Sequence, residues 1–150
     1  MMTDNRQSGL SLLEVLVSVA IFAFGLLALA ALMANGLRLN TSAMHRSFAT
    51  NQAYDMADRM RANPDTDYNG IAGAAADPGC ISTGCSPARM LQYDQFQWNT
   101  DNANFLPEGT GTVAKETAAC IFANPNPCIY TITVTWDDDR DGNADDSFVF

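Results

Sequence analysis

Hydrophobic positions along this chain change their spacing twice, and each change marks an element. Residues 1–8 are mostly polar, and from Leu10 to Leu37 the only charge is Glu14. A run of roughly 20 apolar residues is long enough for a helix to cross a bilayer. After Leu37 the pattern becomes periodic: Met44, Phe48, Ala49, Ala53, Met56, Ala57 and Met60 recur at three- and four-residue spacing, with Asn40, Arg46, Asn51, Asp55, Asp58 and Arg59 between them. That is one apolar stripe on an amphipathic helix. There is no proline before Pro64, and Asn35-Gly36 is the only weak spot. The pattern predicts a single helix over residues 10–62, ended by Asn63-Pro64-Asp65 because the residue before proline is pushed out of helical geometry. His45 reads as solvated polar surface of that helix, and its methionines as gap-fillers in the core.

Residues 65–87 shift to Gly, Ala, Asp, Pro and Cys and read as a loop without structure of its own, a candidate contact surface by position. Ser86-Pro87 has the form of a helix start, with an N-cap side chain before a proline at the first helical position. Leu91, Trp98 and Phe105 follow at seven-residue spacing, predicting a second helix to about residue 105, with Trp98 anchoring the core against a sheet. Gly109-Thr110-Gly111-Thr112-Val113 opens the β portion. Tyr130, Ile132, Val134 and Trp136 alternate with Thr131, Thr133 and Thr135, the period of a strand with one buried face. Phe148 and Phe150 share a face of a last strand, paired back as a hairpin across the acidic turn at 137–146, and Asn124-Pro125-Asn126-Pro127 is a rigid turn before it. The fold class expected is α+β: a long N-terminal helix, apolar in its first half and amphipathic in its second, packed on a small antiparallel sheet of about four strands.

Of 150 residues, about 90 remain for one small head once the long helix is set aside. The formal net charge of −9 argues against binding nucleic acid through its phosphates, which needs a basic face. No phosphate-cradling glycine loop, nucleophile–base pair or metalloprotease spacing is present, so no enzyme is expected. The four cysteines, Cys80, Cys85, Cys120 and Cys128, all follow the apolar run, and an even count suits disulfides in a small exported head. Three pairings are open; Cys80–Cys85 with Cys120–Cys128 is preferred because each closes a short loop. The spacings do not match zinc knuckles.

Two constellations carry possible chemistry. An ionised carboxylate inside an apolar span costs on the order of 2.5–3.5 kcal/mol, so Glu14 needs an interfacial position or a partner. No Lys or Arg lies within reach on the same helix. A cut after Gly9 would create an ammonium at Leu10, one helical turn from Glu14, able to neutralise it within one chain or to set the stagger between neighbouring chains. The second is Asp137-x-Asp139-x-Asp141-Gly142 with Asp145 beyond, which matches the opening of an EF-hand calcium loop. Phe148 stands where the closing glutamate would be, so a true EF-hand is excluded. A solvated acidic turn with Arg140 as counter-charge is the favoured reading over a calcium site.

Gly9 followed by Leu10-Ser11-Leu12-Leu13-Glu14-Val15-Leu16-Val17 resembles the cleavage and methylation signal of type IV prepilins, with Leu10 where most members have Phe. The resemblance implies cleavage between Gly9 and Leu10, N-methylation of Leu10 by the prepilin peptidase, and a role for Glu14 in assembly. It also implies an inner-membrane anchor with a periplasmic head, and later a place in an extracellular pilus. In the head, Asp94, Trp98, Leu106-Pro107-x-Gly109 and Val134-Thr135-Trp136 followed by Asp and Arg140 resemble the PilV minor pilins, or pilus modification proteins. Asn102 departs from that pattern, which has an apolar residue there, and implies a more loosely packed second helix. On this resemblance the chain divides into a leader (1–9), a membrane and filament-core half-helix (10–37) and a globular head (38–150). Its partners are the major pilin and other minor pilins, and its role is in pilus assembly or initiation, twitching and adhesion. The alternatives are a minor pseudopilin of type II secretion and a membrane-tethered surface-binding module.

Overall fold

The computed structural model describes residues 11–116 and 128–150. One uninterrupted helix, α1 (Leu12–Ala62), is followed by β1 (Ile71–Ala72), a single turn α2 (Cys80–Thr83), α3 (Pro87–Phe105), β2 (Thr110–Lys115), β3 (Tyr130–Trp136) and β4 (Asp146–Val149). The strands form one antiparallel sheet in the order β1-β2-β3-β4. This is the α+β, pilin-like arrangement of a long N-terminal helix packed on a small four-stranded sheet. Two compact units divide the chain, Met1–Thr41 and Ser42–Phe150.

Local chemistry explains the boundaries. Asn35-Gly36 does not break α1: a helical glycine costs about 1 kcal/mol relative to alanine, too little to stop a helix of this length. The helix ends at Ala62, where Asn63 precedes Pro64. At the start of α3 the Ser86 hydroxyl accepts from the Arg89 N–H and Pro87 fills the first helical position. Strand β3 buries Ile132, Val134 and Trp136 on one face, as its alternation requires.

The core lies between the second half of α1, α3 and one face of the sheet. Ala49, Ala53 and Ala57 line the helix surface there, and such small side chains let a large one approach. Trp98 fills the space, fully buried, and its indole N–H donates to the Gln52 carbonyl at 2.9 Å. Its ring lies close against Gly111, where an added Cβ would sit 2.3 Å from a ring carbon.

Four expectations are corrected by this packing. Met44 is exposed, and the buried position beside it is His45, so the stripe is rotated by one residue at its N-terminal end. Asn102 is fully buried, not a sign of loose packing; Gly109 passes so close that a Cβ would meet the Asn102 carbonyl oxygen at 2.2 Å. Phe105 is largely exposed, with its ring 4.7 Å from that of Phe48. The segment 65–87 is not structureless: it supplies β1, α2 and the buried Tyr68 and Ile71. The expected turn at Asn124-Pro125-Asn126-Pro127 lies outside the described residues.

Candidate functional site

At the N-terminal end, Ser11 offers its carbonyl to the N–H groups of Glu14 (2.9 Å) and Val15 (3.3 Å), which opens α1. Glu14 falls in the first turn, where the positive end of the helix dipole favours a carboxylate. From Leu12 to Leu39 every large apolar side chain is exposed, among them Leu16, Phe22, Phe24, Leu27 and Leu32. Residues 12–37 extend roughly 39 Å at ~1.5 Å per residue, more than the ~30 Å of a hydrocarbon core. Length and composition therefore suit a membrane span. A helical surface this apolar and this bare is stable only when lipid or other helices cover it. Gly9 and Leu10 lie outside the described residues.

In the head, the polar groups inherited from the motif positions are structural fasteners. Asp94 is buried on α3. It accepts from Arg59 Nη1 at 3.2 Å and from the Tyr68 hydroxyl at 2.6 Å. Arg59 also donates to Asp55 at 2.7 Å and to Gln97 at 2.9 Å, so one guanidinium ties α1 to α3 while Tyr68 draws the following segment onto both. Burial lowers the Arg59 pKa, but Asp55 and Asp94 outweigh it and the net direction is up. Burial, reinforced by Asp94, raises the Tyr68 phenol well above its ordinary range.

A second fastener was invisible in the sequence. His45 Nδ1 lies 3.0 Å from Asp138 Oδ1, the Ser42 hydroxyl donates to the other Asp138 oxygen, and the Trp136 indole N–H faces the same carboxylate without hydrogen-bond geometry. Burial raises the Asp138 pKa, but Ser42 and His45 reverse it and hold the carboxyl below its usual range. His45 is thus a buried partner of the β3–β4 turn, not solvated surface. Only a contact across 93 residues could have shown this.

The acidic turn brings Asp137, Asp139 and Asp141 together, with one oxygen of each within 4.8 Å of the others; Asp145 is not in the cluster. Asp137 is buried, and its oxygens accept from the backbone N–H groups of Arg140 (2.6 Å), Asp141 (3.3 Å) and Gly142 (2.9 Å). Those bonds overcome desolvation and lower its pKa, whereas Asp139 is raised: a backbone bond from Asp141 lowers it, but the neighbouring carboxylates outweigh that. Arg140 adopts a left-handed backbone (φ 62°) and, among the described residues, makes no ion pair. The expected counter-charge role is therefore not what holds the turn; the Asp137 carboxylate does so through the loop's own N–H groups.

Cys80 and Cys85 are joined by a disulfide, and the Cys80–Arg89 contact together with Arg89 Nη2 donating to the Pro78 carbonyl fixes this loop on α3. Ile81 at its tip is exposed. Cys120 lies outside the described residues, and with it the expected Cys120–Cys128 pairing.

Residues 4–30 match the family model described as the prokaryotic N-terminal methylation motif. No curated protein and no solved structure matches the chain. The motif indicates a type IV pilin-like or pseudopilin protein. It implies processing by a prepilin peptidase and assembly with other pilins in a membrane-associated system, which the bare apolar helix fits as an anchor.

Proposed function

We propose that this chain is a minor pilin of the PilV kind, acting in assembly or initiation of a type IV pilus as part of a tip or priming complex. The observation that carries the reading is the methylation signal placed directly before an apolar helix whose first turn holds a lone carboxylate. In this account the leader, residues 1–9, is removed. The new ammonium at Leu10, methylated by the same peptidase, pairs with Glu14 of its own or a neighbouring chain. That pair removes the cost of burying an isolated charge and fixes the axial stagger of packed helices.

The mechanism is assembly, not catalysis. Before assembly the apolar half-helix sits in the inner membrane with the head in the periplasm; afterwards it packs in the filament core against the major pilin and other minor pilins. The head positions that resemble PilV support the finer reading through their roles: Asp94 gathers Arg59 and Tyr68, Trp98 fills the core, and Gly109 lets the chain pass Asn102. Twitching motility and adhesion would follow from a working filament.

Substituting Glu14→Ala is expected to leave leader cleavage intact, as read by the mobility of the mature chain, while surface pili fall about tenfold, the equivalent of ~1.4 kcal/mol. Unchanged piliation in that variant would remove Glu14 from the assembly mechanism. A minor pseudopilin of type II secretion uses the same signal, and loss of secretion with pili intact in a deletion strain would favour it.

A further inference from the structure

The sheet has two edges of unequal kind. β1 is an edge only two residues long, too short to template another strand, whereas β4 at the opposite edge runs from Asp146 to Val149. Ile132 and Phe150 exchange both backbone hydrogen bonds at 2.9 Å. In an antiparallel ladder such pairs alternate with pairs whose backbone groups point away from each other. Phe148 opposite Val134 and Asp146 opposite Trp136 therefore turn their backbone groups toward β3, while Ser147 opposite Thr135 and Val149 opposite Thr133 turn theirs to the open side. Among the described residues, no backbone group pairs with Ser147 or Val149 on that side.

Exposed edges are usually blunted by lysine, proline, a bulge or a covering segment. Among the described residues, Ser147-Phe148-Val149 has none of these. Val149 is 59% exposed, and Phe150, 43% exposed, meets the ring of Tyr54 edge-on at 4.8 Å. The edge thus combines unpaired donors and acceptors with an apolar rim. That is the recognition chemistry of strand addition, in which main-chain bonds supply the affinity and alternate side chains the selectivity.

Charge selects the occupant. The turn leading into β4 holds Asp137, Asp138, Asp139, Asp141, Asp145 and Asp146 against the single Arg140, in a chain of net charge −9. A second copy would bring the same negative field to the edge. We infer that the open edge of β4 takes an extended segment of a different protein by strand addition, with lysine or arginine at the end of that segment lying beside the acidic turn. This stands whether or not the chain enters a filament.

The full-length chain in lipid nanodiscs tests it with two synthetic probes of alternating threonine and valine, one carrying two lysines at one end and the other two glutamates. The lysine peptide is expected to slow amide hydrogen exchange at Ser147 and Val149 and to bind about tenfold more tightly than the glutamate peptide at low salt. Val149→Pro deletes an outward N–H and no ladder bond, so it is expected to abolish that protection. Val149→Arg keeps the N–H but guards the edge with a cation, and is expected to weaken the lysine peptide about tenfold with the melting temperature unchanged. No protection at those two amides at saturating peptide, or equal binding of the two probes, would overturn the inference.

Discussion

Tyr130 shows how a single side chain records its surroundings. Its hydroxyl donates to Asp67 Oδ1 at 2.8 Å, while Lys115 Nζ lies 2.6 Å from the other oxygen. Burial first, and then Asp67, push the phenol up to about 12, and the Lys115 bond draws the Asp67 carboxyl down. A proton held more tightly in the folded state adds stability that is complete below the unfolded phenol value of ~10 and disappears as pH rises through the folded value. Of the four tyrosines, Tyr130 and Tyr68 are therefore expected to resist ionisation, visible in an ultraviolet phenolate titration as a delayed phase. Tyr130→Phe should remove the part centred near 12; a native titration complete near ~10 would contradict the assignment. At this scale the sequence is least legible. His45 and Asn102 are polar and read as surface or as a packing fault; His45 is buried because its partner Asp138 comes from the β3–β4 turn far along the chain, and Asn102 because the connection to β2 passes close over it at Gly109.

At the scale of elements, the packing of α3 on β2 depends on two close approaches. The Gly111 N–H donates to Asn99 Oδ1 at 2.6 Å, which holds the strand so near the helix that the Trp98 ring occupies the place of a Cβ. Gly111→Ala must displace a fully buried indole, and overpacking of this kind costs ~1–3 kcal/mol. Urea unfolding followed by tryptophan fluorescence should show that loss in the alanine variant, and a wild-type midpoint would mean that the ring moves without cost. Elements defined by local pattern were legible: the alternation of β3, the Ser86 cap with Pro87, the stop before Pro64. The two-residue β1 was not, because Ile71 is a lone apolar residue among glycines and alanines, and only its pairing with Val113 makes it a strand. The rotation of the α1 stripe escaped for a similar reason: Met44 and His45 differ by one helical step, and which of them turns inward is decided by Asp138.

For the whole molecule, charge and hydropathy are segregated along the sequence. The apolar residues that a soluble protein would hide lie bare on α1 between Leu12 and Leu39, while the acidic residues gather in the head. The head has its own core of Trp98, Met56, Tyr68, Leu106 and Val134 and needs none of that helical surface for it. The bare surface accordingly suits a membrane anchor, and residues 4–30 match the prokaryotic N-terminal methylation motif. In the proposed account, cleavage before Leu10 is the step on which the Glu14 pairing and filament entry both depend. Intact-mass and N-terminal peptide mass spectrometry of the chain purified from its own membranes tests that step directly. The expected product begins at Leu10 and carries one added methyl group on its amine; a product that retains residues 1–9 would contradict the account.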